Sequence, residues 1–242
     1  LLSEDVMQVI RALLEEGHYV NVVTNGTIRQ RFLQMAGWPK NLLKHLLIKF
    51  SFHWLELKRL NLMETFCENV KIVKEAGASY TIEITPSDEL IPHIEEIKSF
   101  SYKNFGALPH ITIARDDRKE GIDILSSKSL EEYRGIWSQF DSELFTTKLE
   151  LYQVKRTEFC YAGDWSAYID LESGRMRQCY CGKELDNIYQ DVTKPLKFEP
   201  IGKCELPYCY NGHAFLTLGA IPELSMCSYD KVRNRYTSDG TE

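Results

Sequence analysis

Four short strand-like runs, HYVNVVTNG, LLIKFSFHW, SYTIEITP and LPHITIARDD, are spaced along the first half of the chain with a helical pattern between each and the next. This alternation is the strongest constraint on the fold. A strand that returns to the same sheet through a helix does so by a right-handed crossover and lies parallel to its predecessor. The helical segments are IRQRFLQMAG, LKRLNLMETFCENVKIVKEAG and DELIPHIEEIKSF. A further helix, LLSEDVMQVIRALLEEG, precedes the first run, with Ser3 as N-cap, acids in its first turn and an apolar stripe of Val6, Ile10, Leu13 and Leu14 that Gly17 ends.

Strands covered on both faces read as nearly continuous apolar runs, and these do not. Asn21 and Asn25 share one face of the first strand, Lys49, Ser51 and His53 one face of the second, and Thr81, Glu83 and Thr85 one face of the third. With a side-chain period of two, Val22, Ile48, Phe50, Phe52, Ile82 and Ile84 then point toward the helices. The expected class is α/β: a partial (β/α) barrel of parallel strands with a polar lumen. Its chemistry would collect at the carboxyl ends of the strands, at Thr24-Asn25-Gly26, His53, Thr85 and Arg115-Asp116. From LELYQVKR onward the alternation stops, so residues 1–148 read as the barrel-like part and 149–242 as a small cysteine-rich α+β domain.

At 242 residues and 43% hydrophobic composition, the chain can fill one large core, or a larger and a smaller one. Formal net charge is -6 with no long basic run, which leaves no electrostatic footprint for a phosphate backbone, so nucleic acid is not an expected partner. Apolar runs such as LLIKF and FLTLGAI fall far short of the roughly 20 residues of a membrane span. No charged leader with a cleavage site opens the chain. The expectation is a cytoplasmic protein with no membrane partner.

Six of the seven cysteines lie in the second part, and five of them (Cys160, Cys179, Cys181, Cys204 and Cys209) fall within fifty residues. In a reducing compartment such crowding points to metal rather than disulfide. AYIDL, the turn residues Glu172, Ser173 and Gly174, and RMRQC read as a hairpin that brings Cys179 back toward Cys160. KCELPYCYNG supplies Cys204 and Cys209, with Pro207 stiffening the loop between them. Zinc and iron-sulfur clusters both accept four thiolates. Zinc sites use pairs two to four residues apart, whereas the first pair here is split across a hairpin, so the spacing favours an iron-sulfur cluster, then zinc, then disulfides. Cys181, on the other strand face from Cys179, reads as a spare thiol. Cys67, at helical spacing with Met63, Phe66 and Val70, reads as core, and Cys227 has no assignment.

The element Cys160-x13-Gly174-x4-Cys179, followed by more cysteines, resembles the opening of the auxiliary iron-sulfur domain of radical S-adenosylmethionine (SAM) enzymes, called SPASM in its two-cluster form and twitch in its one-cluster form. Upstream, VNVVTNGT, IKFSFHW, YTIEITP and HITIARDD look like the third to sixth strands of the radical SAM core, so the resemblance covers nearly the whole chain. It implies that Thr24, Asn25 and Gly26 line the SAM site, with Ser51 and His53 beside it and Glu83 and Arg115 as further lumen residues. It also implies one auxiliary 4Fe-4S cluster on Cys160, Cys179, Cys204 and Cys209, for electron relay or substrate ligation. The implied partners are a small-molecule or peptide substrate and an electron donor such as a flavodoxin or ferredoxin.

The chain departs from the family in lacking the CxxxCxxC motif that holds the SAM-cleaving cluster, and the GGEP-like turn after the second strand. It therefore resembles a fragment truncated at its N-terminus, inactive alone, with SAM and a second 4Fe-4S cluster expected only in the full-length protein; the alternative is a degenerate homologue that never bound SAM. Plainer alternatives stand beside these roles. His53 can be a core histidine bonded to a neighbour, Glu83 a buried ion-pair partner of Lys49, and His213 a residue packed under its loop. For the whole chain the alternative is a non-catalytic α/β binding module with a structural zinc site.

Overall fold

The computed structural model describes residues 3–116, 118, 122–210, 216 and 219–225. Helix α1 (Glu4–Glu15) opens where Ser3 Oγ accepts the Asp5 N–H, and it buries Met7, Ile10 and Leu14. Those three positions lie on one side at helical spacing. Leu13, expected in the stripe, sits a third of a turn away from Leu14 and is exposed.

Strands β1 (Val20–Thr24), β2 (Leu46–Ser51), β3 (Ser79–Ile84) and β4 (His110–Ile111) form a parallel sheet in that order. Helices α2 (Arg29–Ala36) and α3 (Lys40–Leu43) connect β1 to β2, and α4 (Trp54–Arg59) and α5 (Met63–Ala76) connect β2 to β3. A 3-10 turn, Asp88–His93, runs into α6 (Ile94–Phe105) ahead of β4. The protein is thus a mixed α/β chain built on a four-stranded parallel sheet. The segment after β2 makes two helices because Asn61 takes a left-handed backbone (φ 56°) between them. The segment after β3 begins as 3-10 and contains Pro92, which supplies no N–H to the turn.

Residues opposite one another in parallel register share a face. Val22, Ile48 and Tyr80 form one such row and Phe50 and Ile82 another, on the apolar side. There Phe50, Phe52, Phe66, Phe100 and Phe105 pack ring against ring, with Trp54 against Phe52 and Phe100. The other face carries Val23, Lys49 and Thr81 in one row and Ser51, Glu83 and His110 in the next. Coverage of this polar face is uneven. Val23 is 57% exposed, whereas Glu83 and His110 are each 3% exposed.

Beyond β4, α7 (Leu130–Ser138) opens on a capping box between Ser129 and Glu132. The loop before it is tied back to the 3-10 turn by Asp88, whose carboxylate accepts from Ser126 Oγ, Ser127 Oγ and Ser127 N. These bonds, led by the Ser126 hydroxyl, hold the Asp88 carboxyl at about 2, against an ordinary 3.8. A carboxyl depressed in the folded state adds stability that is present above its unfolded value and lost as pH falls toward its folded one. Exchange protection of the Ser127 amide should therefore be flat above pH 5 and drop between about pH 4 and 2. In Asp88→Asn it should be lower and lack that step.

The chain divides into two compact units, the first ending at Phe145 and the second beginning at Thr146, inside α8 (Glu143–Leu151). In the second unit, β5 (Phe159–Cys160) pairs antiparallel with β9 (Gly202–Lys203). Strands β6 (Tyr168–Ile169), β7 (Arg175–Arg177) and β8 (Glu184–Asn187) form a separate antiparallel sheet. Gly174, with φ 75°, sits in the β6–β7 turn and supplies the positive φ expected there. Cys160 lies outside this hairpin, on β5, so the hairpin does not by itself pair Cys160 with Cys179. Cys181 is not on a strand face either. The Gly182 N–H donates to the Cys179 carbonyl at 3.2 Å, closing a turn between β7 and β8 in which Cys181 is exposed. Among the described residues, no helix is long and apolar enough to cross a membrane.

Candidate functional site

Three separate segments of the second unit converge on one cavity. The β5–β9 pairing sets Cys160 opposite Gly202 and Phe159 opposite Lys203, which places Cys204 just past the end of the register. The turn after β7 brings Cys179, and its orientation is held by Gln178, which is buried and donates from Nε2 to the Glu199 carbonyl at 2.9 Å. The loop from Cys204 to Cys209 is tied down by Lys155, whose Nζ donates to the Cys204 and Leu206 carbonyls at 2.7 Å each. Cys160, Cys179, Cys204 and Cys209 all line the resulting cavity of about 30 Å³, with Arg156, Tyr208 and an apolar wall that includes Ala162, Ile201 and Ile221.

Cys160 and Cys179 are buried. Burial pushes both thiols up, and charge on neighbouring cysteines adds to the rise: Cys204 at Cys160, and Cys181 and Cys160 at Cys179. Without a compensating cation these sulfurs stay protonated, so a metal that binds here must displace protons. Among the described residues, no group of three or more His, Cys, Asp and Glu side chains is arranged to hold a single metal ion. Cys181 is not part of the cavity wall. Cys67, on α5, is half-buried, and burial pushes its thiol up to about 11, which makes it an inert packing group. His213 and Cys227 lie outside the described residues.

The sheet residues separate into three groups. Ser51 and Glu83 are register neighbours on the polar face, and Glu83 Oε2 lies 2.8 Å from Lys49 Nζ, the ion pair that the sequence allows. Thr24 and Gly26 belong to the opposite side. Thr24 is in register with Phe50, and its Oγ1 accepts the Gly26 N–H at 3.2 Å. The Gly26 carbonyl accepts from Asn69 Nδ2 at 2.8 Å, and a Cβ on Gly26 would lie 2.7 Å from the Phe50 ring and 2.9 Å from that of Phe66. Asn25, His53 and Arg115 are exposed beyond the strand ends. His53 is therefore not a core histidine. It sits at the start of α4 with no capping bond from its side chain.

Two features had no clear sequence signal. The polar face extends to His110, whose Nδ1 lies 3.2 Å from Ser142 Oγ. That hydroxyl also accepts the Ile111 N–H at 3.0 Å. The pair lies 32 positions apart in the chain, with no pattern in the sequence to link them. Arg156 stands four residues before Cys160 in a stretch without periodicity, and only the β5–β9 pairing turns that stretch into a cavity wall. No protein-family model and no curated protein matches the chain.

Proposed function

We propose that the second unit holds one auxiliary 4Fe-4S cluster on Cys160, Cys179, Cys204 and Cys209, and that the first unit is part of a radical SAM barrel. The complete enzyme would cleave SAM reductively and abstract hydrogen from a small-molecule or peptide substrate. The observation that carries this reading is the convergence of four cysteines from three segments on one cavity. The parallel sheet, with one apolar helix-packed face and one polar face, supports the barrel part and its lumen. When bound, such a cluster supplies one-electron transfer. The chain's own residues position the thiols: Lys155 fixes the Cys204 loop, Gln178 fixes the Cys179 turn, and Ala162, Ile201 and Ile221 keep water from the sulfurs.

One observation favours a second reading. Four cysteines lining one cavity also make a complete tetrahedral set for zinc, so a structural zinc is the competing occupant. In either case the side chains must move to close on the metal.

The ligand set is tested by anaerobic iron-sulfur reconstitution followed by absorption in the thiolate-to-iron charge-transfer region. Serine at Cys160, Cys179, Cys204 or Cys209 should remove most of that absorbance, and Cys181→Ser should leave it intact. Equal loss in Cys181→Ser and Cys209→Ser would overturn the assignment.

A further inference from the structure

Arg156 is the one charged side chain in the wall of the thiol-lined cavity among the described residues. Its Nη1 reaches Glu158 Oε1 at 3.5 Å, too long for a good hydrogen bond. Its Nε is fully buried and has no hydrogen-bond partner among the described residues. A buried N–H without an acceptor costs stability, and the Glu158 contact at Nη1 leaves that Nε–H unmet. The arrangement becomes favourable when the cavity holds negative charge. Four thiolates around an iron-sulfur core carry a net negative charge that grows on reduction, and hydrogen bonds to the sulfurs together with net charge set the potential of such centres.

We infer that Arg156 is a positioning residue for the cluster: its Nε–H donates to a sulfur of the cluster or its thiolates, and its charge stabilises the reduced form. This rests on the cluster reading given above. The acceptor class follows from the wall itself, which offers sulfur and no other anion.

The test compares reconstituted wild type, Arg156→Gln and Arg156→Lys by iron content and EPR-monitored redox titration. All three should carry the same iron per chain. Arg156→Gln should titrate at a more negative midpoint, with about a tenfold change in the reduction equilibrium, or about 59 mV for one electron. Arg156→Lys keeps the charge without the Nε–H and should fall between the two. Beyond the backbone amides that donate to Cys160 and Cys179, one further exchangeable proton coupled to the reduced cluster, seen by ENDOR before and after transfer to D₂O, should be present in wild type and absent in both variants. If Arg156→Gln does not fold, Arg156→Lys decides the matter: loss of that proton supports the assignment and its retention overturns it. An iron-loaded Arg156→Gln with the wild-type potential and proton coupling overturns the role of Arg156 alone. Wild-type protein that takes up zinc and no iron overturns the cluster reading and this assignment with it.

Discussion

Lys49→Met is expected to destabilise the first unit by about 3 kcal/mol. The lysine Nζ lies 2.8 Å from a Glu83 carboxylate that is 3% exposed. Methionine keeps much of the stem volume and removes the charge, leaving the carboxylate buried beside an apolar side chain. Removing one partner of a buried pair costs far more than replacing both, because the surviving charge keeps its desolvation penalty. The double variant Lys49→Met/Glu83→Leu should therefore recover most of the loss. Amide exchange at Phe50 and Ile82 reads this unit separately from the second. It should be about 100-fold faster in the single variant and near wild type in the double. A double variant as weak as the single would show that the pair is not what Glu83 relies on. The same geometry bears on chemistry, since Glu83 is committed to Lys49 and is not a free base on the polar face of the sheet.

Gly26→Ala is the second large effect, at about 3 kcal/mol. Gly26 has φ 72°, a region where a Cβ is strained. That Cβ would also press on the Phe50 and Phe66 rings, which belong to a well-packed aromatic core. The expected result is faster exchange through β1 and β2, with partial recovery in Gly26→Ala/Phe66→Leu, where one ring is trimmed. No recovery would place the whole cost in the backbone. Either way, Gly26 is required for the turn and for packing before any cofactor is considered.

The parallel sheet was legible because β-branched runs and amphipathic helices have distinct periods, and the period of two also marked which face of β2 and β3 is polar. Thr24 shows where that logic ends. A residue at a strand terminus looks available for a ligand, yet its register with Phe50 and its bond to the Gly26 N–H place it on the packed side. Asn69 was invisible for a similar reason: a polar residue on a helix gives no sign that it caps a turn 43 residues away. In the second unit the cysteines stood out by number and Gly174 by its turn. The pairing that matters, β5 with β9, joins segments more than forty residues apart through strands of two residues each, too short to carry a pattern. Arg156 followed from that pairing and had no signal of its own.

Iron, acid-labile sulfide and zinc, measured in anaerobically purified, reconstituted protein, decide the identity of the group at the four cysteines. The cluster reading predicts about four irons and a matching amount of sulfide per chain, lost together in Cys160→Ser. Colourless protein with one zinc per chain and no sulfide would contradict it.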